Sequence, residues 1–137
     1  MPSEVELAAI LCALVLGGET ETRHGYVVAG EARHVRVDCE TPTHVIEVGL
    51  DGRRSAYDSL HQSLFAAHLT GKLPMIVMID TDGREEPAEF QVRTVAGMAG
   101  VSYLALDAGF LLRWQRERPG RKGPDLPVLR DGATSGH

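Results

Sequence analysis

The sequence predicts an α/β fold, with helices flanking one mixed sheet, and three features carry that prediction. After a helical opening, three short alternating stretches follow with only glycine or turn residues between them, the pattern of an antiparallel meander. Beyond residue 54 the pattern becomes helix, strand, helix, strand, which calls for crossover connections and parallel strands. The stretch "PMIVMID" (74–80) is continuously apolar, as expected of an internal strand covered on both faces. The predicted order is α-β-β-β-α-β-α-β.

The elements follow in order. Ser3 with Glu6 three residues on forms a capping box that opens a helix. The helix runs through "LAAILCALVL" (7–16) to Gly17-Gly18, apolar nearly all round and therefore buried. "TRHGYVVAG" and "ARHVRVDC" alternate as strands, broken at Gly25 and Gly30, and "THVIEVGL" is the third strand. "DGRR" is a turn. Ser55 with Asp58 caps the helix "SAYDSLHQSLFAAHLTG", which ends at Gly71. "GREEPAEFQVRTVAGMAG" opens with acids and Pro87 and closes at Gly100, a third helix. "VSYLALD" is a strand and "GFLLRWQRER" a short last helix. Residues 1–118 make one domain. Residues 119–137, rich in Pro, Gly and charge, make a flexible tail.

Composition sets bounds on function. The 137 residues suit one domain, and 43% apolar with 24% charged residues is ordinary for a globular chain. No apolar run approaches the roughly 18–20 residues that span a bilayer. The 7–16 run has Glu4 and Glu6 before it and no Lys or Arg, unlike a signal peptide. A cytoplasmic protein with no membrane partner is expected. Cys12 and Cys39 lie in apolar settings with no zinc-ligand spacing, and buried, reduced thiols are expected. Net charge is −5, which disfavours an indiscriminate nucleic-acid coat but leaves room for a local basic groove. The cations are twelve Arg and only two Lys, Lys72 and Lys122.

Two acids in "RVDCETPTHVIEVGLDG" (36–52) carry the site argument. Turning Val35, Val37, Ile46, Val48 and Leu50 to one core face requires an even loop. A loop from Glu40 to Thr43 sets Val37 opposite Ile46 and Arg36 opposite Glu47. Asp38 and Glu47 then become diagonal neighbours on the polar face, roughly 7 Å apart at Cα. Two such carboxylates can share a hard divalent cation, and without one they repel. The alternative is a plain solvent-facing pair, Arg36 with Glu47.

These residues resemble the PD-(D/E)XK nuclease-like superfamily, in particular short bacterial and phage proteins whose hairpin reads Arg-Val-Asp-Cys, then His-x-x-Glu, then a helix with a Gln. The resemblance covers residues 19 to 70 and places the family's acids on Asp38 and Glu47 and its helix Gln on Gln62. An upstream Glu-x-Arg falls on Glu21 and Arg23. It implies a restriction-endonuclease-like core and a Mg- or Mn-dependent phosphodiesterase acting on DNA, with Asp38, Glu47 and Glu21 as metal ligands and Gln62 in the catalytic set. The family's Lys, two residues after the second acid, is Gly49 in this chain. Arg53 or Arg54 could fold back to stabilise phosphoryl charge, but an arginine cannot serve as a general base. The expectation divides between a nuclease, with activity degraded or not, and a non-catalytic protein of the same fold that binds nucleic acid or a protein partner. A homodimer is compatible with the small size.

Other motifs weigh less. "IDTDG" places Asp80 and Asp82 at a strand end, which resembles the magnesium sites of Toprim and haloacid-dehalogenase-like folds and equally suits an Asp-Gly turn opening a helix. Five of the six histidines fall between residues 24 and 68 with no zinc spacing. Arg113, Arg116, Arg118, Arg121 and Lys122 against Glu117 form a basic segment that could touch phosphates or simply be solvated.

Overall fold

The first helix begins where its capping box places it. In the computed structural model, which describes residues 3–51, 55–117 and 128–131, the Glu6 amide donates to the Ser3 hydroxyl at 3.2 Å and the Ser3 amide donates to the Glu6 carboxylate at 2.8 Å. Helix α1 (Glu4–Ile10) widens into a π-helical segment, Leu11–Leu16, and stops at Gly17 in the left-handed conformation, φ 68°. There follow β1 (Glu19–Val28), β2 (Glu31–Glu40), β3 (His44–Leu50), α2 (Ser55–Thr70), β4 (Leu73–Asp80), α3 (Pro87–Ala99), β5 (Ser102–Asp107), α4 (Ala108–Glu117) and β6 (Val128–Asp131). The predicted α/β class and element order hold through α4.

The strands form one six-stranded sheet in the order β1-β2-β3-β4-β5-β6. The meander β1-β2-β3 is antiparallel, β3, β4 and β5 are parallel, and β6 returns antiparallel to β5. This mixed sheet flanked by helices is consistent with a generic nuclease-like architecture. β6 lies within the stretch expected to be a tail, so the sheet draws on residues past 118. The rest of 119–137 lies outside the described residues, as do Arg53, Arg54 and the side chain of Ser55, on which one expected helix cap rests.

Both sheet faces are covered, which explains the uninterrupted apolar run of β4. Val77 and Ile79 pack with Leu7, Leu11, Ile46, Val48 and Leu111 on the α1 and α4 side. Ile76 and Met78 pack with Val92, Ala96 and Tyr103 on the opposite side. No helix among the described residues is long and apolar enough to cross a membrane.

The cysteines depart from expectation. Both are buried, but they are joined in a disulfide rather than reduced. The π-helical segment sets Cys12 over β2, and the two Cα atoms stand 5.5 Å apart, within bonding range. That proximity is tertiary and has no trace in the spacing of two cysteines. Gly18 is required beside it, because a Cβ there would lie 2.7 Å from Cys39 Sγ and 2.9 Å from the Glu40 carbonyl oxygen. Disulfides persist chiefly in oxidising compartments, so the bond lends no support to the expected cytoplasmic setting. The bond closes a loop across 27 residues. Cys39→Ser is therefore expected to cost on the order of 3 kcal/mol in urea unfolding. An equal midpoint for the oxidised wild type and the variant would show that the crosslink adds nothing.

Candidate functional site

The site grows from a place where two strands part. β2 and β3 pair at Glu40↔Val45 and Cys39↔Ile46. Their turn is closed by Thr41, whose amide donates to the His44 carbonyl at 2.9 Å and whose hydroxyl accepts from the amides of Thr43 and His44. The loop lies one residue later than predicted, which moves the register by two. The expected Val37↔Ile46 and Arg36↔Glu47 pairings are thus corrected, and continuing the observed register sets Asp38 across from Glu47. The expected single core face is corrected as well. Cys39 joins Ile46, Val48 and Leu50, while Val37 packs with Val45 and Ala66 of α2.

Just past the last backbone pair, the Val48 amide donates to Asp38 Oδ2 at 2.8 Å, so a side chain takes the place of a ladder rung. The Asp38 and Glu47 carboxyl groups stand close enough to perturb one another's proton affinity. Glu47 is 3% exposed, because β3 is an internal strand with α2 packed over it. Its Oε2 has no hydrogen-bond partner among the described residues. Burial, and after it the charge of Asp38, push the Glu47 carboxyl up to about 9. Burial also raises Asp38, against the pull of the Val48 amide. At neutral pH the pair therefore holds a proton.

The other expected site residues lie around this pair. Glu21 is exposed and bears on Asp38 through its charge. Its φ of 52° is unusual for a residue with a side chain. Arg36 lies 4.0 Å from Glu21 and acts electrostatically on both Asp38 and Glu47. Gln62, on α2, lines the same pocket as Asp38. Arg53 lies outside the described residues.

The empty lysine position is occupied from elsewhere. A Cβ at Gly49 would meet Met78 Cε at 3.3 Å, Met78 Sδ at 3.4 Å and Ser59 Oγ at 3.6 Å. Lys72 does not approach it. Its ammonium donates to Glu40 Oε2 at 2.7 Å and to the Thr41 carbonyl at 2.8 Å, in a knot where Thr22 and His24 also bond Glu40.

A second carboxylate group forms at the carboxyl ends of the parallel strands. Asp51, Asp80 and Asp82 bring one oxygen each within 4.8 Å of the others and could coordinate a divalent metal. Much of their accepting capacity is already used. Asp51 accepts from the Thr81 amide and hydroxyl at 2.9 Å, and Asp80 Oδ1 accepts from the amides of Asp82 at 3.0 Å and Gly83 at 2.7 Å. The Arg84 amide, first among several donors, holds the Asp82 carboxyl below its usual range. "IDTDG" is therefore a tightly hydrogen-bonded turn. Asp51 was not among the expected residues, since the parallel register Leu50↔Ile79 alone brings it beside Asp80. Four residues of strand separate Glu47 from Asp51, roughly 13 Å, so one ion cannot serve both groups.

No family model, curated protein or solved structure matches the chain.

Proposed function

We propose that the chain is a metal-dependent phosphodiesterase acting on DNA, with Asp38 and Glu47 holding a Mg²⁺ or Mn²⁺ ion where β2 leaves β3. The observation that carries this reading is the Glu47 carboxyl, buried against Asp38 with one oxygen lacking a donor. Such an oxygen is costly to leave unmatched, and a hard divalent cation is the ligand class that buried carboxylate oxygens accept. Glu21 offers a third oxygen beside Asp38. When bound, the ion supplies Lewis-acid polarisation of a phosphoryl oxygen and a more acidic water. The chain's own part is positioning. The Val48 amide orients Asp38, burial fixes Glu47, and Gln62 presents an amide to the adjoining pocket. Arg53, outside the described residues, is the proposed source of further positive charge for the phosphoryl group.

One observation favours the other reading, a non-catalytic binding protein of the same fold. Met78 and Ser59 fill the space beside Gly49, and Lys72 is committed to Glu40, so no lysine stands beside the acid pair among the described residues.

Titration calorimetry with Mn²⁺ tests the metal assignment. Wild type and Asp80→Asn are expected to bind alike, and Asp38→Asn to lose about tenfold or more in affinity. The reverse pattern would move the ion to Asp51, Asp80 and Asp82. No heat from wild type would remove the metal altogether.

A further inference from the structure

A cavity of about 340 Å³ opens between the β1–β2 hairpin and α2. Arg23, His34 and Arg36 line it from the hairpin, Gln62 and Ala66 line it from α2, and Asp38 reaches it from the acid pair. The strand register sets Arg23 directly opposite Arg36. Like charges so placed repel, and little in the hairpin relieves them. Arg36 reaches Glu21 only at 4.0 Å, with both side chains more than half exposed. The hydrogen bond of Arg23 runs to His34 Nε2 at 3.3 Å. Arginine only donates, so His34 Nε2 is the acceptor in this contact. Arg33, on the same hairpin, is by contrast paired with Glu31. In a chain of net charge −5, Arg23 and Arg36 thus form an exposed cationic pair whose ion pairing among the described residues is the long contact of Arg36 with Glu21.

We propose that this pocket binds the phosphate backbone of single-stranded DNA, with one phosphate between Arg23 and Arg36 and the strand running on toward Asp38. Two guanidinium groups offer forked donors matched to phosphate oxygens. The cavity has room for a group of nucleotide size. At about 340 Å³ the cavity does not have room to enclose a base-paired duplex. Among the described residues no Phe, Tyr or Trp lines the cavity, so stacking is left to the His34 imidazole and the strand is held with little sequence preference. The proposal deepens the phosphodiesterase reading and rests on it for the direction of the strand, but its binding chemistry needs no metal.

The test is fluorescence anisotropy of a labelled oligothymidylate in chelating buffer across a salt series. Wild type is expected to bind, with affinity falling as salt rises. Arg23→Ala and Arg36→Ala are each expected to weaken binding about tenfold and to reduce the salt slope by about 0.7. All three hairpin arginines are exposed, so these variants should fold. Arg33→Ala should bind as wild type does. Failure of metal binding in calorimetry with DNA binding intact would overturn the phosphodiesterase reading alone. Loss in Arg33→Ala equal to that in Arg36→Ala would reduce the pocket to diffuse charge and overturn it. Binding of a matched duplex as tight as that of the single strand, or no binding by wild type, would overturn it equally.

Discussion

Glu47→Gln is expected to make the protein more stable above neutral pH while abolishing metal-dependent cleavage of plasmid DNA. The stability effect follows from where the proton sits. Glu47 titrates near 9 in the fold against 4.5 as an ordinary carboxyl, with burial the main cause and Asp38 next. Below pH 4.5 the folded and unfolded chains both hold this proton, and nothing is lost. Above it the unfolded chain ionises while the fold keeps its proton, so stability falls with rising pH until the folded carboxyl also ionises, near pH 9. Asp38, raised by the same burial, pulls in the same direction. A tenfold change in a carboxyl's proton affinity on folding is worth about 1.4 kcal/mol, and each kcal/mol moves the melting temperature of a chain this size by roughly 3–5 °C. Wild type in chelator should therefore melt many degrees lower at about pH 9 than at about pH 5, and Glu47→Gln, neutral throughout, should lose most of that slope. Mn²⁺ should raise the wild-type melting temperature most at high pH, because the ion favours the ionised pair and binds the fold. A flat wild-type profile across that range would mean that the pair holds no shared proton. Cleavage that survives Glu47→Gln would place the reaction elsewhere.

The acid side runs the other way. Glu40 bonds Lys72, Thr22 and His24, and these partners outweigh its desolvation and hold it down at about 2. Its contribution is present above pH 4.5 and disappears as pH falls toward 2. Stability in chelator should thus peak near about pH 5. Lys72→Met should make the acid limb shallower, because it removes one cause of the lowered Glu40 value. A thermal scan that shows no change in the acid limb on Lys72→Met would deny the ion pair its role.

What could be read from the sequence was local. The Ser3–Glu6 box, the Pro87 start of α3, its end at Gly100 and the buried β4 are each encoded within a few residues, and each is found. The meeting of Asp38 and Glu47 was expected, but on the polar face of a hairpin. The burial of Glu47 depends on β3 being covered by α2, a tertiary fact that "THVIEVGL" alone does not carry. Register depended on where Thr41-Pro42-Thr43 turns, and a shift of one loop residue carries two in pairing. Asp51 beside Asp80, Cys12 bonded to Cys39, and β6 closing the sheet all join residues distant in sequence, and no spacing rule reaches them.

Gly49→Lys combined with Met78→Ala is expected to raise plasmid cleavage by about 10² to 10³ if the chain is a nuclease lacking its lysine, the size of effect a single charge-stabilising donor typically has. Gly49 lies two residues after Glu47 on β3, so its side chain would point to the same side. Gly49→Lys alone should fail. The new Cβ would sit 3.3 Å from Met78 Cε, and crowding a buried site of this kind costs about 1–3 kcal/mol. Met78→Ala alone should cost about 2–5 kcal/mol through the cavity it leaves. Together the lysine stem occupies the volume that the methionine vacates, so the double variant should be more stable than the sum of the single losses. Its ammonium, beside the buried carboxyl pair, should also lower both acids. The signature is a melting temperature that no longer falls between about pH 5 and pH 9 in chelator. That readout does not depend on cleavage and shows whether the lysine has reached the pair. If the slope vanishes, Mn²⁺ still binds and DNA remains uncut, the missing lysine is not what separates this site from catalysis. The scaffold is then a binding protein, and the single strand held by Arg23 and Arg36 becomes its ligand rather than its substrate.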